Sequence, residues 1–186
     1  MKNLLASLFI LLACTSIQAQ DHFLVELEDR SPAVKDLVKS YEGYPTIPFM
    51  AMDMNGNEQS IMSMKGRNVI LFFWNLESEK SIQQIDALNL IQEKYQTNTS
   101  IISLSDNDKK SNFDFTQKQP VNFPIIPNSK TLADGPYSGD MGYPRIFIID
   151  DFGLIRWVFP EKSFTDKMDT YRLLDTLLTQ LNKEGK

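Results

Sequence analysis

Among the 186 residues there is one cysteine, Cys14, and one histidine, His22. A single thiol excludes an internal disulfide, a Cys-x-x-Cys redox pair and a multi-thiolate metal site. A single imidazole leaves almost no room for a histidine metal centre or a histidine-activated nucleophile. Basic charge is also short: 19 Lys and Arg stand against 24 Asp and Glu, a formal net charge of −5. With no basic cluster, nucleic acid and an anionic membrane surface are not expected partners. Internal repeats, low-complexity tracts and an interdomain linker are missing too, so the length fits one domain with a proper core. The near-unbroken apolar run from Leu4 to Ala13 is too short to cross a bilayer as a helix.

That run follows Lys2 and has the layout of a secretory signal peptide. Two ends fit it. Ile17-Gln18-Ala19 before Gln20 reads as an ordinary cleavage site, and Leu11-Leu12-Ala13-Cys14 resembles a bacterial lipobox in which Cys14 is acylated. A soluble periplasmic or cell-envelope protein is favoured over a lipid-anchored one, and on either route no free thiol remains. The expected organisation is a signal peptide over 1–19, an N-terminal segment with a short helix over 20–46, and one domain over 47–183.

Ser31-Pro32 pairs an N-cap residue with proline at the first helical position, predicting a helix that runs to Tyr41. Strand over 47–52, the Asn55-Gly56 turn and a second short strand predict a hairpin. Asn68 to Trp74 (NVILFFW) is a continuous apolar run of β-formers, predicting a strand covered on both faces. Ile82, Ile85, Leu88, Ile91 and Tyr95 recur at helical spacing over 78–95. Strand over 100–104, helix over 109–118, short strand over 123–126 and a brief helix after Thr131 follow. Strands over 145–149 and 154–159 flank the Asp150-Asp151-Phe152-Gly153 turn. A last helix from Ser163 carries Met168, Tyr171, Leu174, Leu177, Leu178 and Leu181 on one face. The order β-α-β-α-β-β-α makes one α/β layer domain with parallel crossovers.

Four segments of this frame resemble a known family: Asp53 to Gly66, Val69 to Trp74, Val121 to Ile126 (VNFPII) and Gly142 to Gly153 (GYPRIFIIDDFG). In order and spacing they look like a thioredoxin-like domain of the TlpA/ResA and AhpC/TSA type. The resemblance implies a central mixed β-sheet flanked by helices, with an N-terminal β-hairpin extension. It also implies a thiol-disulfide oxidoreductase or peroxiredoxin, with Cys-x-x-Cys after the strand that ends in Trp74. A helix N-terminus lowers a thiol's pKa there, which is why the chemistry sits at that place. Here the stretch reads Ser78-Glu79-Lys80-Ser81, and both cysteine positions are serine.

A serine nucleophile needs a base; His22 is far away in sequence and the adjacent Lys80 reads as solvated on the first helical turn, so Ser78 is expected as an N-cap and Ser81 as a small first-turn residue. Tyr143-Pro144 stands where the family keeps a cis-proline whose preceding backbone pairs with extended polypeptide. Trp74, Tyr143 and Pro144 are therefore candidate binding residues, with core or rim packing as the alternative. The expectation is an exported thioredoxin-fold binding module without redox cysteines, cofactor or metal. Its partner would be another envelope protein or an extended polypeptide, with membrane contact only through a lipid on Cys14. The alternative is an oxidoreductase that depends on a partner's cysteines. His22 is expected in a mobile N-terminal segment. Asp106, Asp108 and Asp114 match no calcium loop. Met50, Met52, Met54, Met62 and Met64 are expected to pack the hairpin's inner face; copper, the alternative, finds no histidine nearby.

Overall fold

The computed structural model describes residues 32–137 and 139–184. Residues 1–31 fall outside that range, and with them the export segment, Cys14, Ala19, His22 and the Ser31 cap. The chain divides between Lys35 and Asp36. Of the first part only Pro32–Lys35 is described, as the start of helix α1 (Pro32–Lys39); the rest of the architecture belongs to Asp36–Lys186.

Five strands make one mixed sheet: β3 (Asn68–Trp74), β4 (Thr99–Ser105), β5 (Ile125–Ile126), β6 (Arg145–Ile149) and β7 (Ile155–Phe159) in the order β5-β4-β3-β6-β7. β3 runs parallel to β4, and β4 to β5; β6 is antiparallel to both β3 and β7. The continuous apolar run of β3 is explained by its place: it is central, and all seven residues are buried. A separate two-stranded antiparallel sheet, β1 (Met50–Met52) with β2 (Glu58–Ser60), closes through the Asn55-Gly56 turn, with Gly56 at φ 83°. Asp53 holds that turn by accepting backbone N–H groups from Asn55 (2.8 Å) and Asn57 (2.9 Å).

Helix α2 (Glu79–Tyr95) links β3 to β4, and α3 (Lys109–Thr116) links β4 to β5. Both crossovers step the same way along the sheet, so right-handed connections put both helices on one face. Trp74 meets Phe115 of α3 there (centroids 5.6 Å) and stacks on Phe72. The C-terminal helix α5 (Lys167–Glu184) packs against α2, tied by the Tyr95 hydroxyl donating to Asp175 (2.6 Å) and by Lys167 pairing with Asp86 (2.9 Å). On the other face Phe73, Tyr137, Phe147 and Tyr41 pack edge-on or tilted, with centroids 5.0–5.7 Å apart. A short helix, α4 (Lys130–Asp134), precedes Tyr137.

Several boundaries differ from the sequence expectation, for local reasons. The first hairpin strand covers only Met50–Met52, and Pro48, which lacks an N–H, lies just before it. β5 starts after Pro124 for the same reason. α5 begins at Lys167, because Asp166 caps it by accepting N–H groups from Met168 (2.7 Å) and Asp169 (3.0 Å), and Glu161–Ser163 forms a separate 3-10 turn. Met168, expected on the apolar stripe of that helix, is exposed. Gly43, Tyr44 and Thr46 hydrogen-bond to 153–155 beside β7, covering that edge of the sheet.

The methionines correct a further expectation. Met50 and Met52 point to solvent, 67% and 59% exposed, and Met62 is 50% exposed. The inner position of β2 is taken by Gln59, whose side-chain amide donates to Asp53 (3.0 Å).

Candidate functional site at the start of helix α2

β3 ends at Trp74, and the loop Asn75-Leu76-Glu77 delivers Ser78 to the N-cap of α2. Two asparagines set this loop. Asn75 Oδ1 accepts the Ser78 N–H (2.9 Å), and Asn107 Oδ1 accepts the Leu76 N–H (2.8 Å) while its Nδ2 donates to Glu77 (3.1 Å). Ser78 has extended backbone angles and its Oγ accepts the Ser81 N–H at 3.2 Å, the N-cap expected from sequence. The same hydroxyl donates to the backbone oxygen of Tyr143 at 3.0 Å. Tyr143-Pro144 is a cis peptide. The helix start and the proline loop, 65 residues apart in sequence, thus meet through one serine hydroxyl.

The proline loop is fastened from behind. Arg145, 0% exposed, donates through Nη1 to Gly142 O (2.8 Å) and through Nη2 to Ala133 O (2.7 Å). Its guanidinium lies 4.9 Å from the Phe73 ring centre and 4.6 Å from that of Tyr143, a cation–π sandwich. Burial pushes the Arg145 pKa down, opposed by nearby Tyr143, Asp134 and Asp106; a guanidinium still stays charged. The Tyr143 hydroxyl donates to Asp106 Oδ1 at 2.7 Å, and burial followed by that bond pushes its pKa well above the ordinary tyrosine value. Gly142 has φ 70°, a left-handed backbone that favours glycine, and a Cβ there would also push aside the Glu161 carboxylate, 2.7 Å away.

Chemically the two serines are not equivalent. Ser78 is half-buried with both its bonds made, whereas the Ser81 hydroxyl is fully buried without a partner. Gln84 Oε1 and Trp74 Nε1 are likewise buried and unpartnered. Lys80 reaches Glu161 (3.4 Å) and is exposed. Among the described residues neither serine hydroxyl is hydrogen-bonded to a group able to act as a base; Ser78 instead ties the helix start to the backbone of the proline loop.

Of the candidate binding residues, Tyr143 and Pro144 are brought to Ser78, but Trp74 is not available. It is 0% exposed, packed between Phe72 and Phe115. The sequence offered it as a groove residue, with core packing as the alternative; the structure has the core packing, its side chain turned into the helix-covered face. Pro144 is buried as well, and Tyr143 is half-buried. Residues that sequence reasoning passed over supply the framework: Asn75, Asn107, Asp106, Glu161 and Arg145. An arginine opening an otherwise apolar strand, directly after a proline, was the visible signal for the last of these.

A sequence model of the AhpC/TSA family matches residues 43–158, well over half of the chain. The protein belongs to the AhpC/TSA family. Among its family relatives, the thioredoxin-like protein YneN of Bacillus subtilis is 24% identical over 136 residues, covering 69% of this chain and 79% of YneN. Solved structures share the thioredoxin-like fold. One is a candidate thiol:disulfide interchange protein DsbE from Chlorobium tepidum, with a TM-score of 0.66 at 21% identity over 75% of this chain and 97% of that one. Another is the pneumococcal exposed lipoprotein thioredoxin Etrx1 from Streptococcus pneumoniae, with a TM-score of 0.57 at 18% identity over 70% of this chain and 99% of that one. As an AhpC/TSA-family chain with its one cysteine at Cys14, this protein combines the family's frame with hydroxyls at the start of α2.

Proposed function

We propose that this is an exported thioredoxin-fold protein that acts as a non-catalytic binding module in the bacterial cell envelope, taking another envelope protein or an extended polypeptide at the Ser78–Tyr143 juncture. The observation that carries the proposal is the Ser78 hydroxyl at the α2 N-cap, bonded to the backbone oxygen before cis-Pro144. The helix dipole and the proline loop converge where a thiolate would be stabilised, and a hydroxyl is held there instead. Backbone pairing with an extended chain needs no thiol, and a ligand that uses the Tyr143 carbonyl does so by displacing the Ser78 hydroxyl. Glu77, Glu79 and Lys80 form an exposed polar rim around the juncture.

Export rests on the layout of residues 1–19. Intact mass of the protein from its native host distinguishes cleavage after Ala19 from acylation at Cys14. Among the described residues no helix is long and apolar enough to cross a membrane.

The functional test has two arms. Purified protein is expected to give no insulin reduction above buffer; turnover would overturn the proposal in favour of an oxidoreductase. A photo-cross-linker replacing exposed Glu77 in the native host is expected to capture a discrete envelope partner that the same probe at exposed Glu93, at the far end of α2, does not. Identical capture from both positions would reject the juncture as the binding site.

A further inference from the structure

We propose that Met50, Met52 and Met62 form a thioether site for a soft monovalent cation, Cu(I). Methionine is ordinarily an interior residue, yet both outward positions of the three-residue strand β1 are methionine and both face solvent. Being two apart on one strand, Met50 and Met52 share a face, with Cα atoms about 6.7 Å apart by strand rise. That is close enough for two flexible side chains to bring their sulfurs onto one ion.

The antiparallel register places Ser60 opposite Met50. The 3-10 turn Ile61–Met64 follows β2 directly, so Met62 stands two residues past Ser60, the residue that pairs with Met50. Ile61 is buried and anchors this turn, leaving Met62 free to face outward. Thioether sulfur prefers Cu(I) over zinc, magnesium or calcium. Among the described residues no group of three or more His, Cys, Asp or Glu side chains is arranged to hold a metal, so harder cations have no rival centre there. Three unbranched side chains lose rotamer freedom on closing around an ion. Cu(I)–thioether bonding, absent for packing against water, is what offsets that loss.

The test uses the full chain carrying Cys14→Ser, so that its one thiol does not compete. Cu(I), kept reduced by ascorbate, is titrated against the chromophoric chelator bicinchoninate. In parallel, methyl-13C-methionine spectra are recorded with Ag(I) as a redox-inert stand-in. The expected result is withdrawal of one Cu(I) per chain and shifts of the Met50, Met52 and Met62 methyl signals, with buried Met141 unmoved. The triple variant M50L/M52L/M62L, similar in volume and confined to exposed positions, is expected to bind about tenfold or more weakly at an unchanged urea midpoint. Retained affinity in that variant, failure to compete with the chelator, or absence of the three methyl shifts would each overturn the proposal. The spectra decide the matter even if the variant does not fold.

Discussion

Replacing Ser78 and Ser81 by alanine, one at a time, separates two hydroxyls that sequence alone treats alike. Ser78 makes two bonds, accepting the Ser81 N–H at 3.2 Å and donating to Tyr143 O at 3.0 Å. Loss of a serine N-cap costs about 1 kcal/mol. Loss of the second bond costs about 1 kcal/mol more, so Ser78→Ala is expected to destabilise by about 2 kcal/mol. For a domain of this size that lowers Tm by about 4–8 °C. The Ser81 hydroxyl is fully buried and unpartnered, and an unsatisfied buried polar group carries a desolvation cost of about 1–3 kcal/mol. Removing it leaves a small void that takes back part of the gain, so Ser81→Ala is expected between neutral and about 1 kcal/mol more stable. Ser78→Thr keeps both bonds and should stay within about 0.5 kcal/mol of the parent. Urea unfolding followed by circular dichroism reads all three, with unchanged m-values required. Equal losses for the two alanine variants, or a larger loss at Ser81, would refute the assignment of these hydroxyls.

Three further outcomes are expected. Arg145→Ala removes the fork that holds Gly142 O and Ala133 O and opens a cavity between two rings, for a loss of about 2–4 kcal/mol by thermal unfolding; a loss under about 1 kcal/mol would show that the loop holds itself. At Asp53 burial opposes the charged form, but the N–H and amide donors of Asn57, Gln59 and Asn55 outweigh it and hold the carboxyl below its ordinary value. Its stabilisation is therefore complete above the unfolded pKa of about 3.9 and is lost as pH falls through the lower folded value. The urea midpoint of Asp53→Asn should depend less on pH in that acidic window than the parent's, and identical slopes would reject the claim. In a Trp157→Phe background the remaining tryptophan, Trp74, should emit at short wavelength and resist acrylamide, since it is wholly buried; red-shifted, readily quenched emission would return Trp74 to the candidate binding surface.

Much of the fold was legible in local pattern. NVILFFW announced a doubly covered strand, the stripe from Ile82 to Tyr95 a helix on its face, and Asn55-Gly56 a hairpin, because periodicity and turn chemistry act over a few residues. Element ends were less legible where one side chain decides them, as Asp166 does for α5 and Pro124 for β5. The N-cap at Ser78 could be anticipated, since capping is a local event. Its second bond could not, because Tyr143 arrives from 65 residues away.

The composition alone determined that no thiol pair exists in this chain, and the order of its segments determined an α/β frame, to which a family resemblance added the thioredoxin type. Neither conclusion needed coordinates, because counting and periodicity are properties of the chain itself. Only the tertiary structure decided which side chains face inward. It buried Trp74 and Arg145, left the Ser81 hydroxyl unpaired, and turned Met50 and Met52 to solvent. Strand register fixes these directions, and register is settled by pairing between residues remote in sequence. Residue types were therefore readable from the start, while their exposure and partners emerged only when the sheet was assembled.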